Sequence, residues 1–182
     1  MIINKQYLGK YSPLPQLGNY DFSEIMNYVT VAQEIWIRPI LGDSLMEELE
    51  YQVAHNQVSE ENSTLFTEGG LYQYLAYATC LEGLPFIWAN FSQVGITLGK
   101  SENSDSITLK DLTYIEGHLR RQTEFLKDKF INWICSHQDS FPLFNPGCIC
   151  PCCNSCCNDK GLNEPNPIWS LYTTKKRHTE LL

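Results

Sequence analysis

Residues 71–91, LYQYLAYATCLEGLPFIWANF, decide how this chain is read. Apolar side chains occupy nearly every helical phase of the stretch. A helix formed here must be covered on most sides, which marks the central helix of a bundle. Gln73, Thr79, Glu82, Gly83, Pro85 and Asn90 interrupt it, so a buried helix fits better than a membrane span. Pro85 is expected to kink or end the helix, because its ring blocks one backbone hydrogen bond.

Downstream, Gln93–Leu98 and Ser106–Thr108 are β-like runs around the turn-forming residues 99–104, and predict a small hairpin. Thr108 then caps the longest helix, expected to run to about His137. Leu112, Ile115, Leu119, Leu126, Phe130, Trp133 and Ile134 form its inner side. At ~1.5 Å per residue it would be roughly 40 Å long. Its outer face, with Arg120, Arg121, Glu124, Lys127, Asp128 and Lys129, reads as solvated.

Upstream, Asp21 and Glu24 have the spacing of a helix-start capping pair. Ile25, Tyr28, Val29, Ala32 and Trp36 then repeat at helical spacing, a first helix that Pro39 and Gly42 should break. Ser44 and Glu47 form a second capping box, and Leu45, Met46, Leu49 and Val53 form the next apolar face. The polar stretch from Asn56 to Gly70 reads as a loop with at most a short helical turn. Residues 1–20, with Pro13 and Pro15, read as an extended arm. The fold expected is therefore mainly α: a four-helix bundle over residues 21–140 with a small β-hairpin excursion. An irregular Cys-rich extension with an aromatic and basic tail follows over residues 141–182.

The chain has 182 residues, 43% of them hydrophobic, and a formal net charge of −8. That suits one soluble domain with an extension. The charge is uneven. Residues 1–70 set Lys5, Lys10 and Arg38 against ten acidic residues, whereas the last ten residues carry Lys175, Lys176 and Arg177 against Glu180. An acidic body argues against wrapping duplex DNA, because phosphate binding needs clustered cations. The start, MIINKQYLGK, has no basic region followed by an apolar run, so no secretory signal is read there and a reducing cytosol is expected.

Six cysteines crowd ten residues: Cys148, Cys150, Cys152, Cys153, Cys156 and Cys157. Cys150 with Cys153, and Cys153 with Cys156, have the two-residue gap that lets thiolates converge on one tetrahedral ion. A structural zinc, disulfides formed outside the cytosol, and free thiols are the three readings of the cluster. Beyond it, Ile168, Trp169, Leu171 and Tyr172 precede Lys175, Lys176 and Arg177. Anchors plus charge read as a peptide that docks on a partner, the other reading being that it folds back onto its own bundle.

Cys80 and Cys135 lie in apolar helices and read as core residues. His55 and His118 read as surface or capping groups, and Glu47, Glu48 and Glu50 as a charged face. No Ser-His-Asp order, phosphate loop or HExxH is present. Enzymatic function has no support in the motifs.

The stretch VAQEIWIRPILGDSLMEEL, residues 31–49, resembles the opening of the head–tail connector (adaptor) proteins of tailed bacteriophages. In that family a first helix runs into an I-x-P-x-L-G turn and a second helix follows. The later order agrees from Asp21 to His137: an apolar helix with an internal proline, a short β-like excursion, then a long amphipathic helix. The neck ring proteins of crAss-like phages are the nearest likeness. The resemblance implies a virion structural protein without catalytic activity, assembled in the bacterial host cytoplasm as a homo-oligomeric ring of about twelve copies. Such a ring sits in the neck between portal protein and tail proteins. It extends the channel through which the genome is ejected, and DNA passes without specific binding. No membrane is involved. Arg38, Pro39, Leu41 and Gly42 carry the turn, and Pro39 and Gly42 are expected to serve inter-subunit contacts with the tail residues named above. The cysteine cluster is not part of the connector pattern. The reading from a different class is a zinc-thiolate or redox interaction module.

Overall fold

A computed structural model describes residues 1–13, 23–89, 91–92, 95–96 and 109–144, all within one compact unit, Met1–Cys150. The chain is mainly helical. In order the helices are α1 (Lys5–Tyr11), α2 (Ser23–Met26), α3 (Val29–Ala32), α4 (Arg38–Leu41), α5 (Asp43–Ala54), α6 (Glu60–Thr67), α7 (Leu71–Ala89) and α8 (Leu109–Ser136). A π-turn, Gln33–Ile37, joins α3 to α4, and a 3₁₀ turn, Gln138–Ser140, follows α8.

Helix α7 is the axis on which the others are hung. α1, α2, α3, the π-turn, α6 and α8 all pack against it. Leu71, Tyr74, Leu75, Ala76, Ala78 and Thr79 are fully buried although they point in different directions around the helix. Each large apolar side chain so covered is worth about 1.5–3 kcal/mol. Two hydroxyls of the helix are satisfied: Thr79 donates to the Leu75 carbonyl one turn back at 2.8 Å, and Tyr74 donates across to the Trp36 carbonyl of the π-turn at 3.1 Å. Pro85 does not end α7, which continues to Ala89. Packing holds the segment despite the lost hydrogen bond. Tyr28 stacks on Phe86 at 5.4 Å, and the missing Cβ of Gly83 lets Ile25 and Tyr28 lie against the helix.

The first expected helix is broken differently from the sequence reading. Pro39 lies within α4, in its first turn, where a missing N–H is tolerated. The π-turn before it makes this possible. The Arg38 N–H reaches five residues back to the Gln33 carbonyl, which shifts the register just where proline would break an α-helix. The expected break at Gly42 does occur, with a φ of +79° that suits glycine, and a further break falls at Asn27–Tyr28 between α2 and α3. α5 begins at Asp43 without a side-chain cap, so Ser44 is not the expected capping residue.

Two helices were not foreseen. The stretch Asn56–Gly70, read as a loop, contains α6. Ser59 caps it by accepting from the Asn62 N–H at 3.2 Å, and Leu65 and Phe66 are buried beneath it. Within residues 1–13, read as part of an extended arm, Lys5–Tyr11 forms α1, and Ile2, Ile3 and Leu8 are buried in the common core. Asn4 caps α1 by accepting from the Tyr7 N–H at 2.9 Å. Tyr72 of α7 then sits in an aromatic stack, 4.6 Å from Tyr7 and 4.7 Å from Phe66, which ties α1 and α6 to the axis.

On α8 the expected inner residues Leu112, Leu119, Leu126, Phe130 and Ile134 are buried, with Thr123 and Ile131 added. Trp133 is half-buried, but Ile115 is 40% exposed and does not belong to the inner side. Just after α7, Phe91–Ser92 pairs antiparallel with Gly95–Ile96. The expected turn at 99–104, the second run Ser106–Thr108 and the Thr108 cap lie outside the described residues, as do residues 14–22.

Two measurements test this packing. A Cβ on Gly69 would lie 2.6 Å from the Leu65 carbonyl oxygen and 2.8 Å from Trp133. Gly69→Ala should therefore cost about 1–3 kcal/mol in urea unfolding, the scale of overpacking. Burial, reinforced by the neighbouring Tyr7 and Tyr11, pushes the Tyr72 hydroxyl up to about 12 from 10.0. The folded state thus holds the proton more tightly than the unfolded chain. The stability this contributes is complete below about pH 10 and is lost as pH rises toward 12. The urea midpoint should fall above pH 10, and Tyr72→Phe should make that fall shallower.

Candidate functional site

The family-like turn residues form a charged clamp. Arg38 donates by Nε to Glu34 Oε2 at 2.6 Å and by Nη2 to Glu34 Oε1 at 3.0 Å, a two-pronged pair. Its Nη1 donates to Asp43 Oδ1 at 3.2 Å, and Nη2 lies 3.6 Å from Glu50 Oε2. The Glu34 hydrogen bond leads the effects that raise the Arg38 pKa. Behind it Gln33, only 1% exposed, donates to Glu50 Oε1 at 3.0 Å and accepts from the Ile2 N–H at 2.8 Å. One network therefore joins the first residues, the π-turn and α5. Leu41 is buried, Pro39 is exposed and Gly42 is half-buried. These positions act on the path of the chain. Nothing in their geometry marks a catalytic role.

A groove of about 470 Å³ lies between α7 and α8, lined by Gln73, Tyr77, His118, Arg121, Gln122, Phe125 and Leu126. Its α8 wall continues as a stripe at helical spacing: Tyr114, His118, Arg121 and Phe125. Tyr114 is 74% exposed and Phe125 is 68% exposed. Arg121 Nη2 lies 3.4 Å from His118 Nδ1, and Gln122 Nε2 lies 3.0 Å from His118 Nε2. Two other cations of the helix are paired, Arg120 with Glu116 at 3.1 Å and Lys127 with Glu124 at 3.0 Å. Among the described residues Arg121 has no carboxylate partner, and the groove lining holds no acid.

A second stripe runs along α5. Asp43, Glu47, Tyr51 and His55 are four residues apart in succession and all exposed. The Tyr51 and His55 rings lie 4.1 Å apart, and His55 Nδ1 is 2.8 Å from the Tyr51 carbonyl oxygen, which fixes the end of the stripe. The charges on the outer face of α8 predict a solvated surface, and the structure adds exposed aromatics to it. The i, i+4, i+7, i+11 recurrence of Tyr114, His118, Arg121 and Phe125 is the signal that could have shown it, and the charges interleaved with it hid it.

Chemically, these surfaces are suited to recognition. Burial pushes the Cys80 thiol up to about 12, so at neutral pH it is protonated and a poor nucleophile. Cys80 is free and buried, as expected. Cys135 is half-buried and packs against the core. His137 stacks on Trp133 at 4.2 Å and faces its carbonyl. Among the described residues there is no group of three or more metal-ligating side chains, and no helix is long and apolar enough to cross a membrane. Cys148, Cys150, Cys152, Cys153, Cys156 and Cys157 lie outside the described residues. So do Ile168, Trp169, Leu171, Tyr172, Lys175, Lys176 and Arg177.

The chain belongs to DUF6712, a family of unknown function, which matches it over residues 37–154. The match begins at the junction of the π-turn with α4 and takes in the groove and both stripes from Asp43 onward. No curated protein and no solved structure matches the chain.

The clamp generates a testable expectation. Gln33→Leu removes the acceptor for a buried Ile2 N–H and a donor to Glu50. It should destabilise the protein by about 1–3 kcal/mol in urea unfolding, the cost of stranding a buried polar group. Glu34→Gln, on the exposed side of Arg38, should cost less than half as much.

Proposed function

We propose that this protein is a structural subunit that assembles with its own copies into a ring, and that the ring is the neck connector between a phage portal and its tail. The observation that carries the reading is the α8 stripe. A 28-residue helix is held rigidly along α7, and the side turned from the core presents Tyr114 and Phe125 to solvent. Large aromatics gathered on one stripe beside a groove are characteristic of surfaces that another protein covers. The described sites offer docking chemistry and no poised nucleophile.

The connector assignment adds the resemblance in residues 31–49 and the order of elements that follows. In this reading α3–α4, α5, α7 and α8 are the four helices of the connector core, and the β-like excursion after α7 is its short insertion. The ring subunit presents unlike faces to its two neighbours. The acidic chain suits a channel that lets DNA pass without holding it. The aromatic and basic tail, with its cysteine-rich base, supplies further contacts to a neighbour or to the portal.

Negative-stain electron microscopy and sedimentation velocity of the purified full chain test this directly. Closed rings of about a dozen copies are expected. A protein that sediments as a monomer at every concentration, with no rings on the grid, would contradict the reading.

A further inference from the structure

We propose that the α8 stripe of one copy docks on the α5 stripe of a second copy, head to tail. This rests on the self-assembly reading above and names the surfaces it uses. Two rows of exposed side chains supply the surfaces. On α5, Asp43 and Glu47 bring negative charge and Tyr51, 58% exposed, brings apolar area. The Asp43 side chain is 80% exposed even while it accepts from Arg38. On α8, Arg121 brings positive charge, and Tyr114 and Phe125 bring apolar area. The α5 row is acidic beside its aromatic, and the α8 row sets Arg121 between its two aromatics, with exposed Asp111 and Asp128 toward its two ends.

Two α5 rows would set carboxylates against carboxylates, and two α8 rows meeting at their centres would set Arg121 against Arg121. The unlike pairing places Arg121, which has no carboxylate of its own among the described residues, against Asp43 or Glu47. It also covers Phe125 and Tyr51 together. Both rows are available on one molecule at once, because α5 packs on α4 while α8 packs on α7. A contact between unlike rows is heterologous. Repeated, it closes into a ring or runs on as a filament, and it does not stop at a dimer. Pre-ordering also favours these rows. Tyr51 lies beside the His55 ring at 4.1 Å, and Arg121 lies beside His118 at 3.4 Å, contacts that reduce the side-chain ordering needed on docking.

The test uses the full chain and three samples. Arg121→Glu alone and Glu47→Arg alone should each weaken self-association by about tenfold or more in sedimentation velocity, the effect of one like-charge contact per interface. An equimolar mixture of the two variants should assemble again, because in alternating order every contact pairs opposite charges. Both substitutions lie on the surface, so thermal melting should match the wild type. A photo-crosslinking residue in place of Phe125, with isotope-labelled and unlabelled copies mixed, should join residues 43–55 of a different copy. Crosslinks to residues 151–182, or to another protein, would assign the groove a different occupant and overturn the proposal. If the wild type assembles but neither single variant weakens it, these faces are wrong and the ring reading stands. If the wild type never assembles, both fall.

Discussion

Everything in this fold depends on α7 being buried around its whole circumference. A helix apolar at nearly every phase cannot rest against a single neighbour without leaving an oily side in water. The chain meets that requirement by wrapping its other helices round it. α8 covers one side along much of its length, the segment from α2 to the π-turn covers another, and α1 and α6 close over Tyr72. Short helices such as α2, α3 and α4 would not persist alone in water. They hold because each has a place on this axis. The same demand explains why Pro85 is accepted within α7: the surrounding contacts outweigh one missing hydrogen bond.

The π-turn and the Arg38 clamp are the second constraint. Inserting one residue's worth of slack at Gln33–Ile37 changes the phase of the helix, so that Ile37 and Leu41 face the core while Arg38 faces its carboxylates. Gln33 turns inward at that point and would be costly if its amide went unpaired. The Ile2 N–H and the Glu50 carboxylate satisfy it. The outcome is a chain path with a fixed angle between α4 and α5. That angle sets where the α5 stripe faces, which links a local backbone irregularity to the surface proposed to carry assembly.

Much of this was legible in the sequence, for identifiable reasons. The central helix, the long amphipathic helix and the Leu45, Met46 and Leu49 face could be read because strong apolar periodicity outlasts local exceptions. The Pro39 break was misplaced because a proline in the first turn after a π-turn obeys different rules from one inside an α-helix, and periodicity does not reveal the π-turn. α1 and α6 were missed because only Leu8 in one, with Ile2 and Ile3 just before it, and Leu65 and Phe66 in the other, are buried apolar residues. Their helical signal lay in the caps at Asn4 and Ser59. The α8 stripe was hidden for the opposite reason. Its aromatics are interleaved with Arg120, Arg121 and Glu124, and a mixed outer face reads as solvated until each residue's exposure and pairing are known.

The functional account reduces to one physical claim: a rigid helical frame displays two unlike adhesive rows, and copies of the same chain cover them in turn. The most direct measurement is a cryo-electron microscopy map of the assembled particle at side-chain resolution. The account predicts that Phe125 and Arg121 of each subunit lie against Tyr51 and Glu47 of the next. A map in which the subunits meet through other faces, leaving both rows open to solvent, would contradict it.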